Sequence, residues 1–272
     1  MQGKGVKSEI FNYNSFSKNK KGQVTIFIII AVIVVAIGLL IFFIFPKIKS
    51  QASSLENPEA YIQACIHDNL KDALDLTSSQ GGSIAPENYY LYQGHKIEYL
   101  CYINTFYLPC IVQRPFLKQH IELELQTAIS EKVQSCFNDL KVSYERAGYD
   151  VLLTPGTTEV QIIPDKVVAT FNHDLTTTKG SNTAKYVSFN VVLDSKIYDL
   201  LGITNSIIDW ESTYGDVETT TYMNYYHNLK VEKLNQEDGS TIYILTNRDT
   251  EDKFQFASRS VAWPPGYGSV NV

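Results

Sequence analysis

Beyond its first 49 residues the chain is short of positive charge. Residues 1–49 hold seven Lys and one Glu, whereas residues 50–272 hold 16 basic and 28 acidic residues, a net of −12. Phosphate backbones need Lys and Arg to displace their counterions, so this balance argues against a nucleic-acid partner. Cysteine is sparse, and its four positions, Cys65, Cys101, Cys110 and Cys136, contain no close C-x2-C pair. A structural zinc site needs such pairs, so no metal is expected. None of the five histidines pairs with another at the i, i+4 spacing of a helical metal site. His67 and His120 fall on polar helix faces and read as solvated, and His173 reads as a turn residue. G-x-S-x-G, the phosphate loop and G-x-G-x-x-G are all missing, which removes the sequence grounds for nominating a catalytic residue or a cofactor. The acidic pairs Asp209/Glu211 and Glu237/Asp238 read as a solvated helix end and a hairpin turn. N-x-[ST] does not occur, and no repeat of fixed period is visible.

What the chain does have is one long apolar run. Val24 to Phe45 is 22 residues without a charge. At about 1.5 Å per residue, such a helix reaches roughly 33 Å, enough to cross a bilayer core. It is too long for a secretory signal, whose apolar region is roughly 7–15 residues, and it ends in the bulky Phe45-Pro46-Lys47 instead of a small-residue cleavage site. Five Lys precede the run and two follow it within the first 49 residues. The positive-inside rule then puts the N-terminus in the cytoplasm and the C-terminal part outside a cell membrane crossed once.

The junction Lys20-Lys21-Gly22-Gln23-Val24-Thr25 abuts this run. It resembles the class III signal peptide of archaeal type IV pilin-like proteins. The resemblance implies a prepilin peptidase as partner, cutting between Gly22 and Gln23 and leaving the apolar helix on the mature protein. Lys21, Gly22 and Gln23 are the processing residues it implies. Phe27 departs from the pattern, because pilins usually carry Glu there, and a carboxylate at membrane depth needs a partner. The chain also resembles uncharacterised membrane-anchored proteins of small-genome archaea. The stretches that carry this likeness are "KGQVTIFIII", Cys65 with Gln80-Gly81-Gly82, and Phe254-Gln255-Phe256-Ala257.

The remaining pattern divides as a basic leader (1–22), a transmembrane helix (23–45), a polar linker (46–56), a helical half with the cysteines (57–149), a β-rich half (150–263) and a flexible tail (264–272). Asn57-Pro58-Glu59 is a helix start, Ile62, Ile66, Leu70 and Leu74 give it one apolar face, and Gly81-Gly82 ends it. A second helix is expected over 115–144, closed by Gly148, with short strands or a hairpin between the two. From Asp150 period-two patterns mark strands at "TEVQIIP", "KVVATFN" and "AKYVSFNVVLD", with "TTTKGSNT" read as a mobile loop. A helix is expected over 195–210. "LKVEKLN" and "STIYILTN" flank Asp238-Gly239 as a hairpin, and "DKFQFASRSVA" is the last strand. The expected class is α+β: an N-terminal transmembrane helix followed by an extracytoplasmic domain with two helices and a mainly antiparallel sheet.

Four cysteines outside the membrane suit two disulfides, with three possible pairings. Cys65 and Cys136 sit on the apolar stripes of two helices, whose packing can bring them together, and Cys101 and Cys110 bracket a hairpin-like segment, so that pairing is favoured. The functional expectation is a non-catalytic, pilin-like surface protein with a structural, adhesive or assembly role, whose partners are the lipid bilayer and itself or other envelope proteins. The alternative is an anchored accessory module that does not polymerise. An extracytoplasmic hydrolase ranks third.

Overall fold

The computed structural model describes residues 28–35 and 57–262. Residues 28–35, labelled α1, are helical with exposed apolar side chains. Among the described residues no helix is long and apolar enough to cross a membrane. The expected span 23–45 lies outside the described residues apart from 28–35, as do the leader and the tail.

Residues 57–262 begin with α2 (Pro58–Ser79), and the local chemistry is as the sequence suggests. The Asn57 side chain accepts from the Ala60 N–H at 3.0 Å, satisfying one donor that the first helical turn leaves free. Gly82 N–H returns to the Thr77 carbonyl, and both Gly81 and Gly82 have positive φ. A Cβ on Gly81 would lie 2.9 Å from the Glu98 Cβ, so space as well as backbone conformation demands glycine there. Next come β1 (Tyr89–Tyr92), β2 (His95–Tyr102), β3 (Ile111–Val112) and α3 (Leu117–Arg146). The second half holds β4 (Asp150–Thr154), β5 (Thr158–Ile163), β6 (Lys166–Phe171), β7 (Asp174–Lys179), β8 (Asn182–Tyr186) and β9 (Phe189–Asp194). It closes with α4 (Ile197–Tyr214), α5 (Thr220–Tyr225), β10 (Leu229–Asn235), β11 (Ser240–Asn247) and β12 (Lys253–Arg259).

The strands form three sheets: β1-β2-β12-β11-β10 with β3 added to β2, β4-β7-β8, and β5-β6-β9. Every pairing is antiparallel except β12 with β2, where a register shift falls between Ala257 and Ser258. The class is α+β, as expected, but residues 57–262 contain four helices where the class reading counted two. Three sheets also replace one. Among the described residues the larger of two apolar clusters runs from Ile62 and Ile66 of α2 through Leu125 and Phe137 of α3 to Phe171, Phe189, Ile207 and Phe254, and the smaller holds Ile97, Tyr99, Ile242 and Ala257.

Two strand assignments change. "TTTKGSNT" is not a loop: β7 and β8 form a hairpin that turns at Gly180, where φ is +61°. Both faces of β8 are open to solvent, with every residue but the last exposed and no large apolar side chain before Tyr186, so the sequence shows no apolar alternation there. "AKYVSFNVVLD" is two strands in different sheets, β8 and β9, and β4 was not separately recognised.

Candidate functional site

The cysteines are paired Cys65–Cys136 and Cys101–Cys110, the pairing favoured from their spacing. The first joins α2 to α3; the second closes the segment between β2 and β3, with Cys110 Sγ 3.7 Å from Ser258 Oγ. We expect the folded protein to gain no alkylation under non-reducing conditions and four sites after reduction and unfolding, read by mass spectrometry. Alkylation at any cysteine before reduction would contradict the bridges. Lys21, Gly22 and Gln23 lie outside the described residues. Among the described residues no group of three His, Cys, Asp or Glu side chains is arranged to hold a metal.

Three polar groups, two of them buried and one half-buried, depart from their sequence reading. His120 is not a solvated surface histidine: its Nε2 lies 2.7 Å from Ser83 Oγ. Ser83 in turn bonds Glu98 Oε2, while Arg114 donates to Glu98 Oε1 from Nε at 2.9 Å and from its terminal nitrogen at 2.6 Å. Glu98 is 3% exposed and sits under the Gly81 corner. The cluster contains the Ser, His and carboxylate of a hydrolase, but in the wrong order. Paired with the guanidinium, Glu98 offers acceptors only, so Ser83 gives its proton to Glu98 and accepts from His120. A serine nucleophile needs the reverse, a histidine that takes the serine proton. The arrangement holds the Gln80–Ser83 corner onto β2. Arg114→Ala should therefore cost about 2 kcal/mol in urea denaturation, below the usual loss for an orphaned buried charge because Ser83 still serves Glu98. A loss under about 0.5 kcal/mol, typical of a surface change, would contradict this.

His173 does lie in the two-residue link between β6 and β7, but it is not a solvated turn side chain. It is buried, its ring stacks on Phe137 at 4.5 Å between centroids, and burial pushes its pKa down. Glu211 is the third correction. Asp209 is exposed, but Glu211 is 2% exposed and accepts from Tyr243 Oη and, at 3.1 Å, from Ser258 Oγ. Desolvation by burial raises its pKa to about 7. Glu237 and Asp238 do form the expected hairpin turn, with Asp238 Oδ1 accepting from Ser240 N–H at 2.9 Å.

An open groove lies elsewhere, where α4, α5 and the ends of β10 and β11 meet. A groove of about 560 Å³ is lined by Tyr198, Gly202, Ser206, Tyr222, Tyr226 and Asn247, with Asp199 and Asn228 beside them. That volume is within the range of small-ligand sites, roughly 300–1,000 Å³. The apolar face of α4, with Leu200, Leu201, Thr204, Ile207 and Ile208, is buried in the core, so the row Tyr198-Gly202-Ser206 at four-residue spacing is turned outward. Ser206 Oγ and Tyr222 Oη are 2.7 Å apart, tying the six-residue α5 to α4. Tyr226 N–H caps α5 on the Tyr222 carbonyl, and Leu229 N–H returns to Tyr226, which places the Tyr226 ring at the rim.

Gly202 carries the signal that sequence reasoning passed over. It has no positive φ, and a Cβ there would meet nothing within 4 Å. A helix-interior glycine costs about 0.5–1 kcal/mol relative to alanine, and neither backbone nor packing requires one here. Its effect is to leave the groove floor without a side chain. Asn247 is the other unusual feature. It is 4% exposed, and its Oδ1 accepts from Asp249 N–H at 3.0 Å and Thr250 N–H at 3.2 Å.

No family model matches this chain, and no match was found among curated proteins or solved structures.

Proposed function

We propose that this chain is a single-pass, membrane-anchored protein whose C-terminal domain stands outside the cell and serves a structural, adhesive or assembly role, with a pilin-like N-terminus. The observation that carries the reading is Lys21-Gly22-Gln23 directly ahead of the uncharged run Val24–Phe45. Two disulfides in the domain beyond it support an oxidising location. The commitment of the Ser83 proton to Glu98 supports a non-catalytic role for that cluster.

N-terminal sequencing of protein recovered from native membranes, with carbonate extraction alongside, tests it. The expected result is a mature chain starting at Gln23 that stays with the membrane pellet. A chain that retains the leader refutes processing, and release by carbonate refutes the anchor. Phe27, where a pilin usually carries a carboxylate, favours a second reading in which the anchored protein does not polymerise. Sheared surface filaments containing the protein would overturn that second reading.

A further inference from the structure

We infer that the groove between α4 and α5 is a carbohydrate site that takes one pyranose unit of a glycan. This deepens the adhesive role proposed above and rests on it for a surface location, although the binding itself requires only the folded domain.

Three kinds of group meet in the groove. Tyr198, Tyr222 and Tyr226 supply aromatic faces, with Tyr198 40% and Tyr226 44% exposed at the rim. Rings of this kind combine an apolar face with a polar edge and lose little conformational entropy on binding, which suits the C–H face of a sugar ring. Asp199 and the Ser206–Tyr222 hydroxyl pair supply acceptors. The Asn247 amide supplies a donor. With its Oδ1 held by two backbone N–H groups, its orientation is set; its Nδ2 finds no acceptor among the described residues and keeps some contact with solvent, although the residue as a whole is only 4% exposed. A ligand that covers this nitrogen without accepting from it would leave it unpaired, at a cost.

The combination discriminates between ligand classes. A quaternary ammonium would suit the aromatic faces and Asp199. It carries no acceptor, however, so it would cover Asn247 Nδ2 and leave it unpaired. A purely apolar ligand fails for the same reason and also desolvates Asp199. A pyranose offers C–H faces to the rings, hydroxyl donors to Asp199 and hydroxyl acceptors to Asn247. Gly202 supplies the room: its missing side chain opens the floor between Tyr198 and Ser206.

The test is saturation-transfer NMR on the full-length chain in a polyoxyethylene detergent, which carries neither sugar nor ammonium. The probes are the methyl pyranosides of glucose, galactose, mannose and N-acetylglucosamine, with tetramethylammonium as a competitor. At least one pyranoside should show transfer to its ring protons. Gly202→Leu should abolish the signal by filling the floor. Asn247→Asp keeps the acceptor that holds Asp249 and Thr250 but replaces the free donor, and should weaken binding by roughly 10-fold, the scale of one lost hydrogen bond. Circular dichroism and urea midpoints establish that both variants remain folded. The inference is overturned if no pyranoside binds, if both variants bind like the parent, or if tetramethylammonium binds and the sugars do not. None of those results bears on leader cleavage or carbonate extraction, so the anchor proposal stands or falls separately.

Discussion

Replacing both Cys65 and Cys136 with alanine should lower folding stability by about 4 kcal/mol. The bridge closes a 71-residue separation. A cross-link removes loop-closure entropy from the unfolded chain in proportion to the logarithm of loop length, roughly 3 kcal/mol at 15 residues and 4.7 at 100. The same relation gives only about 2.5 kcal/mol for Cys101–Cys110, whose separation is 9 residues. Packing adds to the difference. Cys136 is fully buried between Val133 and Phe137 on the core face of α3, whereas Cys65 is half-buried. Substituting both partners avoids leaving a free thiol to exchange with the second bridge. Urea denaturation of the two double variants, compared with the parent, reads the two losses. If the short loop proves the more costly, or if both losses fall under about 1 kcal/mol, the entropic account is wrong for this fold.

A second large effect should appear with pH. Glu211 has an ordinary carboxyl value of 4.5 when unfolded and about 7 when folded, chiefly because burial disfavours its charged form. Asp216 pushes in the same direction, and Lys233 and the hydrogen bonds from Tyr243 and Ser258 oppose it. Between those two values the folded state binds more protons than the unfolded state, so stability falls as pH rises. The contribution is fully present below pH 4.5 and is lost by the time pH passes about 7. One pKa unit corresponds to about 1.4 kcal/mol, so the whole loss is about 3 kcal/mol. His173 works in the opposite direction: its lowered pKa gives stability that is present above pH 6.5 and lost as pH falls. Comparison with Glu211→Gln separates the two. The amide can accept from Tyr243 and donate to Ser258 without a charge, so the variant should match the parent near pH 5 and exceed it by about 2–3 kcal/mol at pH 8. Equal urea midpoints for parent and variant at pH 8 would falsify this.

Much of the fold was legible because it rests on local chemistry. Asn57-Pro58-Glu59 and Gly81-Gly82 bound α2 through a side-chain cap and a left-handed turn, both written within a few residues. The β10–β11 hairpin closes on Asp238-Gly239 with Gly239 at φ +84°, again a local requirement. The β7–β8 hairpin was illegible because its Thr-rich strands show no apolar alternation, and its antiparallel register emerges only when Leu175 and Thr177 reach the core. The position of Glu211 could have been suspected, since it continues the buried row Thr204, Ile207 and Ile208 of α4. Its partners lie 32 and 47 residues away, so the hydroxyls that make its burial tolerable could not be named.

The candidate sites divide in the same way. The Lys-Gly-Gln junction, the apolar run and the acidic remainder are properties of consecutive residues, and the sequence by itself determined them. It also favoured one disulfide pairing, because cysteines on the apolar stripes of two helices can meet when those helices pack. The groove belongs to the tertiary structure. Tyr198 and Gly202 come from α4, Tyr222 and Tyr226 from α5 and its exit, and Asn247 from the end of β11. No local rule brings those positions together. Only the packing of the apolar face of α4 turns the tyrosine–glycine row outward, and only the β10–β11 register sets Asn247 opposite Leu229 at the edge of that row.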